Sequence, residues 1–231
     1  MICLHPKKEM SAWQRWLHHP QSFGGRRIMF QVHLVLGTVA SLYILLMSIS
    51  GTMIVYRNGL EGLGKSNVTR VVEWLVDLHD NLLLGMAGRR VNGVGAISLT
   101  LLCVTGAVLW WPGITHWRRS LTVNWRSSFA RINWDLHSAL GFWCLLFVTM
   151  WGISGAYFSF PQVFSEVGDF ILLWLSNLHF GRLGWFAEAL WTLLGLVPAV
   201  LSFTGVFLCC RRMIYKLPTG PPGPTRNSEL D

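Results

Sequence analysis

Charge is scarce in this 231-residue chain: 13% of its residues are Asp, Glu, Lys or Arg, against 52% that are hydrophobic. A soluble domain carries roughly 25% charged residues, and with a mean hydropathy of +0.43 the chain reads as an integral membrane protein. Cysteine motifs are missing as well. The five cysteines, Cys3, Cys103, Cys144, Cys209 and Cys210, form neither a Cys-x-x-Cys nor a Cys-x-x-Cys-His string, which leaves a zinc ribbon and covalent haem attachment unsupported. Cys103 and Cys144 read as small apolar packing residues, and so does the vicinal Cys209-Cys210 pair, with reactivity the alternative reading there. No Gly-x-Gly-x-x-Gly string opens a dinucleotide-binding unit. The first 27 residues lack the apolar core of a cleavable signal peptide, and the first apolar run reads as a signal anchor.

What the chain does have is four apolar runs, at 28–56, 91–111, 135–160 and 186–210. Each is long enough to cross a hydrocarbon core about 30 Å thick. Residues 1–27, 112–134 and 211–231 hold 13 of the 19 Lys and Arg, which by the positive-inside rule places both termini and the Trp117-Arg118-Arg119 loop in the cytoplasm. The net charge of +8 is thereby accounted for by orientation, and nothing is left to suggest nucleic-acid binding. Trp110, Trp111, Trp117, Trp125 and Trp134 at one boundary, and Trp74, Trp174 and Trp185 at the other, suit interfacial belts. The expected fold is an all-α membrane protein of four transmembrane helices with short surface helices in the outer loops. A cytoplasmic segment, 1–27, precedes the membrane domain, 28–210, and a Pro-rich tail, 211–231, is expected to be disordered.

The second half of the membrane domain restates the first. His33 and His137 are 104 residues apart and His79 and His179 are 100 apart, and His33-Leu-Val-Leu-Gly37 is answered by His137-Ser-Ala-Leu-Gly141. The repeats are 28–111 and 135–210. Each contains two crossings, so the copies share an orientation. In the outer loop of the first repeat, the apolar period over 71–84 predicts a helix carrying His79. Glycines at 85, 88, 93 and 95 leave open whether that helix continues into the membrane, with His79 either on the helix or where it joins the second span.

Every span also carries a Ser-Gly or Thr-Gly pair: Ser50-Gly51, Thr105-Gly106, Ser154-Gly155 and Thr204-Gly205. At each membrane face, two histidines come from one pair of helices and two glycines from the other. From His33 to Gly37 and Gly51 is 4 and 18 residues, about one and five helical turns, so the three share a face. His137, Gly141 and Gly155 repeat the pattern. A flat ligand clasped between two imidazoles needs such an arrangement, with glycines where its edges meet neighbouring helices. The ligand that fits is b-type haem, held axially by His33 and His137 near the cytoplasm and by His79 and His179 near the outside. Arg89, Arg90 and Arg182 either pair with haem propionates or anchor the interface. Another metal, a proton path, or helix packing alone are the competing explanations of the histidines. His5, His18, His19 and His116 fall outside the repeat and read as surface residues. Asp135, Glu166 and Asp169 read as solvated loop ends, with proton transfer the alternative.

In five ordered strings the chain resembles the PepSY-associated transmembrane helix family, which includes bacterial inner-membrane siderophore-iron reductases. They are Arg27-x5-His33-x3-Gly37, Leu78-His79-x5-Gly85-x2-Gly88-Arg89, Thr105-Gly106-x3-Trp110-Trp111-Pro112, Asp135-Leu136-His137-x3-Gly141 and Leu178-His179-x-Gly181-Arg182. The resemblance implies a dihaem membrane protein of the inner membrane that passes electrons to an outer-side acceptor, often ferric iron in a siderophore. This chain differs from the larger members between residues 57 and 72, where the interval is too short for the periplasmic PepSY domains they insert. Two alternatives stand beside this expectation: an accessory subunit of a larger membrane complex, with no reductase activity of its own, and a histidine-lined metal transporter.

Overall fold

The computed structural model describes residues 11–61, 66–114, 116–164 and 168–216. Cys3, His5, Glu166 and the tail from 217 onward lie outside the described residues. Among the described residues all regular structure is helical: α1 (Ala12–His18), α2 (Gly25–Ile54), α3 (Arg57–Glu61), α4 (Ser66–Asn81), α5 (Gly85–Trp110), α6 (Phe129–Trp143), α7 (Leu145–Ser159), α8 (Asp169–Phe180), α9 (Trp185–Gly195) and α10 (Val197–Lys216), with three short 3-10 turns between them. Helices satisfy every backbone polar group internally, which a hydrocarbon core demands.

Three stretches are long and apolar enough to cross a bilayer: Gly25–Ile54, Gly85–Trp110 and Trp185–Ile214. The pair α6 and α7 passes as a fourth, bent by 65° at their junction. The chain is thus an all-α membrane protein. Its apolar side chains face outward as a lipid-soluble surface requires: Val39, Leu42 and Leu146 are 77%, 75% and 81% exposed. α5 packs on α2 and α7, and α10 packs on α2 and α6.

The third span differs from the expected continuous helix over 135–160. It breaks at Cys144 (φ −100°, ψ 5°), with no proline nearby. The two halves answer to different neighbours. On the α6 side, Phe142 stacks on Trp110 at 4.1 Å and the Trp143 indole donates to the Leu121 carbonyl at 3.1 Å. On the α7 side, Gly152 lies so close to α5 that a Cβ would stand 3.2 Å from the Ala96 carbonyl oxygen. The bend lets both halves keep their partners.

The last span is interrupted too, between α9 and α10, where Pro198 brings no N–H. Ser48 of α2 repairs the gap: its hydroxyl donates to the Gly195 carbonyl and accepts from the Ala199 N–H at 3.0 Å. One residue thereby joins the first span to the last. Ser48 is buried, so Ser48→Ala strands two backbone groups and should lower stability by about 1–3 kcal/mol, read as a lower thermal-unfolding midpoint in detergent.

One end of the bundle gathers the start of α2, the end of α5, the start of α6 and the end of α10. Arg26 on α2 fastens it by donating to the carbonyls of Val108, Leu109 and Trp111, the unsatisfied carbonyls where α5 ends. Trp13 and Trp16 of α1 continue in a stack onto Trp111, with centroids 5.2 and 5.7 Å apart. The other end carries α4 and α8. The expected helix over 71–84 is present but shifted, running from Ser66 to Asn81. It ends in Leu82 and Leu83 at φ 55° and 60°, a left-handed exit that few non-glycine residues adopt. The chain therefore breaks between His79 and the second span, which settles the continuity that the glycines left open.

Candidate functional site: two histidine pairs

His33 on α2 and His137 on α6 meet near the first end of the bundle, ring centroids 6.5 Å apart and planes at 87°. His79 on α4 and His179 on α8 meet at the other end, also at 6.5 Å, with planes at 59°. Ser50, which contacts His79, lies 17 residues along α2 from His33, roughly 25 Å at helical rise. The pairs thus stand on opposite sides of the apolar span. Within each pair one histidine comes from each sequence repeat.

All four imidazoles make the same kind of hydrogen bond. His33 Nδ1 lies 2.9 Å from Thr105 Oγ1, His137 Nδ1 2.8 Å from Thr204 Oγ1, His79 Nδ1 3.0 Å from Ser50 Oγ and His179 Nδ1 2.6 Å from Ser154 Oγ. These hydroxyls are the first members of the four Ser-Gly and Thr-Gly pairs. Each also donates back along its own helix, to the carbonyls of Leu101, Val200, Leu46 and Met150 at 2.7–2.8 Å. A hydroxyl has one proton. With that proton given to the carbonyl, the oxygen can only accept from the imidazole, so Nδ1 carries the hydrogen and Nε2 keeps its lone pair. A second-sphere hydrogen bond fixes the tautomer of a metal-binding histidine in this way. At the α4/α8 end, burial pushes His79 down to about 4 and His179 to about 3, the latter also by the neighbouring His79. Both rings are neutral at neutral pH.

The spacing within each pair is informative. Two imidazoles hydrogen-bonded end to end have centroids about 5 Å apart, from an N···N distance near 2.9 Å. A metal ion with a nitrogen about 2.0–2.1 Å away on either side puts them at roughly 6.3–6.5 Å. Both pairs show the longer value. Among the described residues no three or more His, Cys, Asp or Glu side chains converge.

The glycines lie against side chains of the protein. A Cβ on Gly106 or Gly205 would stand 3.3 Å from Cε1 of His33 or His137, and one on Gly51 would stand 2.9 Å from Cε1 of His79. They make room for the imidazoles, because a hydroxyl that bonds Nδ1 draws the ring against the next residue. Gly155 instead packs against Ala96, and Gly37 and Gly141 lie in ordinary contact with Leu102 and Leu201. At the α4/α8 end a cavity of about 670 Å³ opens beside His79 and His179, walled by Gly51, Gly155, Trp151 and Phe158 among others. That is within the roughly 300–1,000 Å³ of small-molecule and cofactor sites.

Of the three arginines expected there, Arg89 and Arg182 line this cavity and Arg90 does not. Arg89 is ion-paired with Asp80. Asp135, expected at a solvated loop end, is buried: its carboxylate is 2.8 Å from Arg131 Nε and accepts from the Asn124 N–H. His18 and His19 are exposed, as expected of surface residues.

Two positioning residues were missed. Asn92 donates to the carbonyls of His79 and Asp80 at 2.7 and 2.9 Å, while its own carbonyl accepts from Tyr43. In the second repeat the Trp191 indole donates to the Leu178 carbonyl at 2.6 Å, and Gly181, at φ +65°, leaves space for that ring. Asn92 and Trp191 are 99 residues apart, as are Thr105 and Thr204. They tie down the C-terminal turns of α4 and α8, where His79 and His179 sit. That spacing was the available signal.

Residues 60–170 match the family model of the PepSY-associated TM region. The chain contains a PepSY-associated TM region. The matched stretch holds one histidine of each pair, His79 and His137, with Thr105 and Ser154, which bond the histidines His33 and His179 outside it. A similar protein is the uncharacterized protein PA4219 of Pseudomonas aeruginosa, 31% identical over 88 residues, which are 37% of this chain and 21% of that protein. The chain thus spans about a fifth of the length of the relative it matches. No solved structure matches.

Proposed function

We propose that this chain is a dihaem b-type membrane cytochrome that relays electrons across the bacterial inner membrane. His33 and His137 hold one haem on the cytoplasmic side, and His79 and His179 hold the other on the outer side, with both termini in the cytoplasm. The observation that carries this reading is the fourfold one: each imidazole is fixed with Nε2 free, and in each pair the rings are spaced for one metal ion. Haem held by these histidines would supply one-electron exchange at each end. The chain's own part is to hold the rings, keep them neutral and provide a cavity of suitable size at the outer end. Quinol or a separate reductase is the donor, and ferric or siderophore-bound iron the acceptor in keeping with the family. The chain is then either a minimal reductase or a subunit of a larger complex.

Reduced-minus-oxidised spectra of the purified protein should show b-type bands, with two haems per chain by pyridine haemochrome assay. A protein purified from haem-replete cells, and unable to take up added haem, would be no cytochrome. Reoxidation of the prereduced protein by a ferric chelate separates a reductase from an accessory subunit without that activity.

A further inference from the structure

Two guanidinium groups that line the cavity beside His79 and His179 share one aromatic ring. Arg57, at the start of α3, has its Cζ 5.2 Å from the centroid of Phe180, and Arg182, just past α8, has its Cζ 4.7 Å from it. Both line the cavity beside His79 and His179, as does Phe180. The other cavity arginine, Arg89, has its charge answered by Asp80. Among the residues whose side chains are described, which exclude Glu61 and Asp169, the ion pairs are Arg89–Asp80 and Arg131–Asp135, and neither includes Arg57, Arg182 or Glu188, which also lies on the cavity wall. Both Cζ atoms lie within 5.2 Å of one ring centroid, and an anion bound by them lowers the repulsion between the two like charges. Guanidinium groups match carboxylates through paired, charge-assisted hydrogen bonds, and the Phe180 face orients both.

We propose that Arg57 and Arg182, oriented by Phe180, form a carboxylate-binding clamp on the wall of this cavity. Its ligand is either the propionates of a porphyrin seated between His79 and His179 or the carboxylates of a free iron chelate. The porphyrin source rests on the dihaem reading, and the chelate source does not. The clamp assigns Arg57, which repeat comparison passes over, in preference to Arg90, which lies outside the cavity.

The test uses the full chain in nanodiscs, purified without haem, with three probes: iron protoporphyrin IX, its dimethyl ester, and ferric citrate. Arg57→Gln and Arg182→Gln are compared with Arg126→Gln, an exposed residue near the opposite end. For a porphyrin ligand, wild type binds the free acid roughly tenfold or more tightly than the ester, and Arg57→Gln or Arg182→Gln abolishes that preference while Arg126→Gln keeps it. For a chelate ligand, citrate binding falls by a similar factor in the two variants and porphyrin binding is unchanged. If neither acid nor citrate binding changes in either variant, the clamp is wrong. If wild type takes up no porphyrin at all, the dihaem reading fails, and the citrate arm still decides the clamp.

Discussion

His33→Ala should halve the haem content of the purified protein, from two per chain to one, and His179→Ala should remove the other. The two losses are independent because the pairs share no residue and stand roughly 25 Å apart along α2, well past the 7–10 Å within which substitutions usually couple. Removing one imidazole leaves its partner, His137 or His79, facing a space with a single protein donor, and a ligand held from one side only is lost on purification. The double variant His33→Ala/His137→Ala should therefore behave as His33→Ala alone, since both remove the same site. His33→Ala/His179→Ala should contain none. Pyridine haemochrome assay counts the haems, and a redox titration shows which potential has gone. Loss of both haems from one substitution, in a protein that still runs as a single species in detergent, would overturn the pairing of His33 with His137 and His79 with His179.

The repeat was legible because it is written in residues that an apolar chain rarely carries. Histidines 104 and 100 residues apart announced the pairs, and the structure brings together the same residues. The glycines after His79 leave a break there open, and the left-handed turn that makes it falls on Leu82 and Leu83, two residues with no turn preference of their own. Three features stayed hidden for physical reasons. The 65° bend at Cys144 arises from competing neighbours on α5 and the 117–121 turn, so no local residue marks it. Asn92 and Trp191 are equivalent in what they donate and unlike in everything else, so matching residue types across the repeats conceals them. Arg57 has no counterpart carrying charge in the second repeat, and its place beside Phe180 depends on tertiary packing alone. Most instructive are the Ser-Gly and Thr-Gly pairs. Their glycines drew attention as gaps for a ligand; the preceding hydroxyl makes the directed contact, Gly51, Gly106 and Gly205 admit the ring that it holds, and Gly51 and Gly155 also wall the cavity.

Those hydroxyls carry the second large prediction. Thr204 is buried, it donates to the Val200 carbonyl at 2.8 Å, and it is left to accept from His137 Nδ1 at 2.8 Å. Thr204→Val keeps the shape and removes the acceptor. The Nδ1–H of His137 then lies buried without a partner, at a cost of about 1–3 kcal/mol, and the other tautomer, which buries a bare Nδ1 and places the hydrogen on the atom that would face a metal, becomes competitive. Substitutions in this outer sphere typically weaken metal affinity about 10–100-fold. Haem at the His33/His137 end should bind more weakly by that factor in Thr204→Val, with a shifted midpoint potential, while the His79/His179 end keeps both its affinity and its potential. Thr204→Ser, which restores the oxygen without the methyl group, should recover wild-type behaviour, a rescue that packing alone would not produce. Nitrogen chemical shifts of labelled histidine in the haem-free protein provide an independent reading: His137 should be hydrogenated at Nδ1 in wild type and in Thr204→Ser, and mixed in Thr204→Val. Identical shifts and identical haem affinity in all three proteins would show that the hydroxyl packs against the ring without directing it. Ser154→Ala extends the test to the other end, where the hydrogen bond to His179, at 2.6 Å, is the shortest of the four and its removal should have the larger effect.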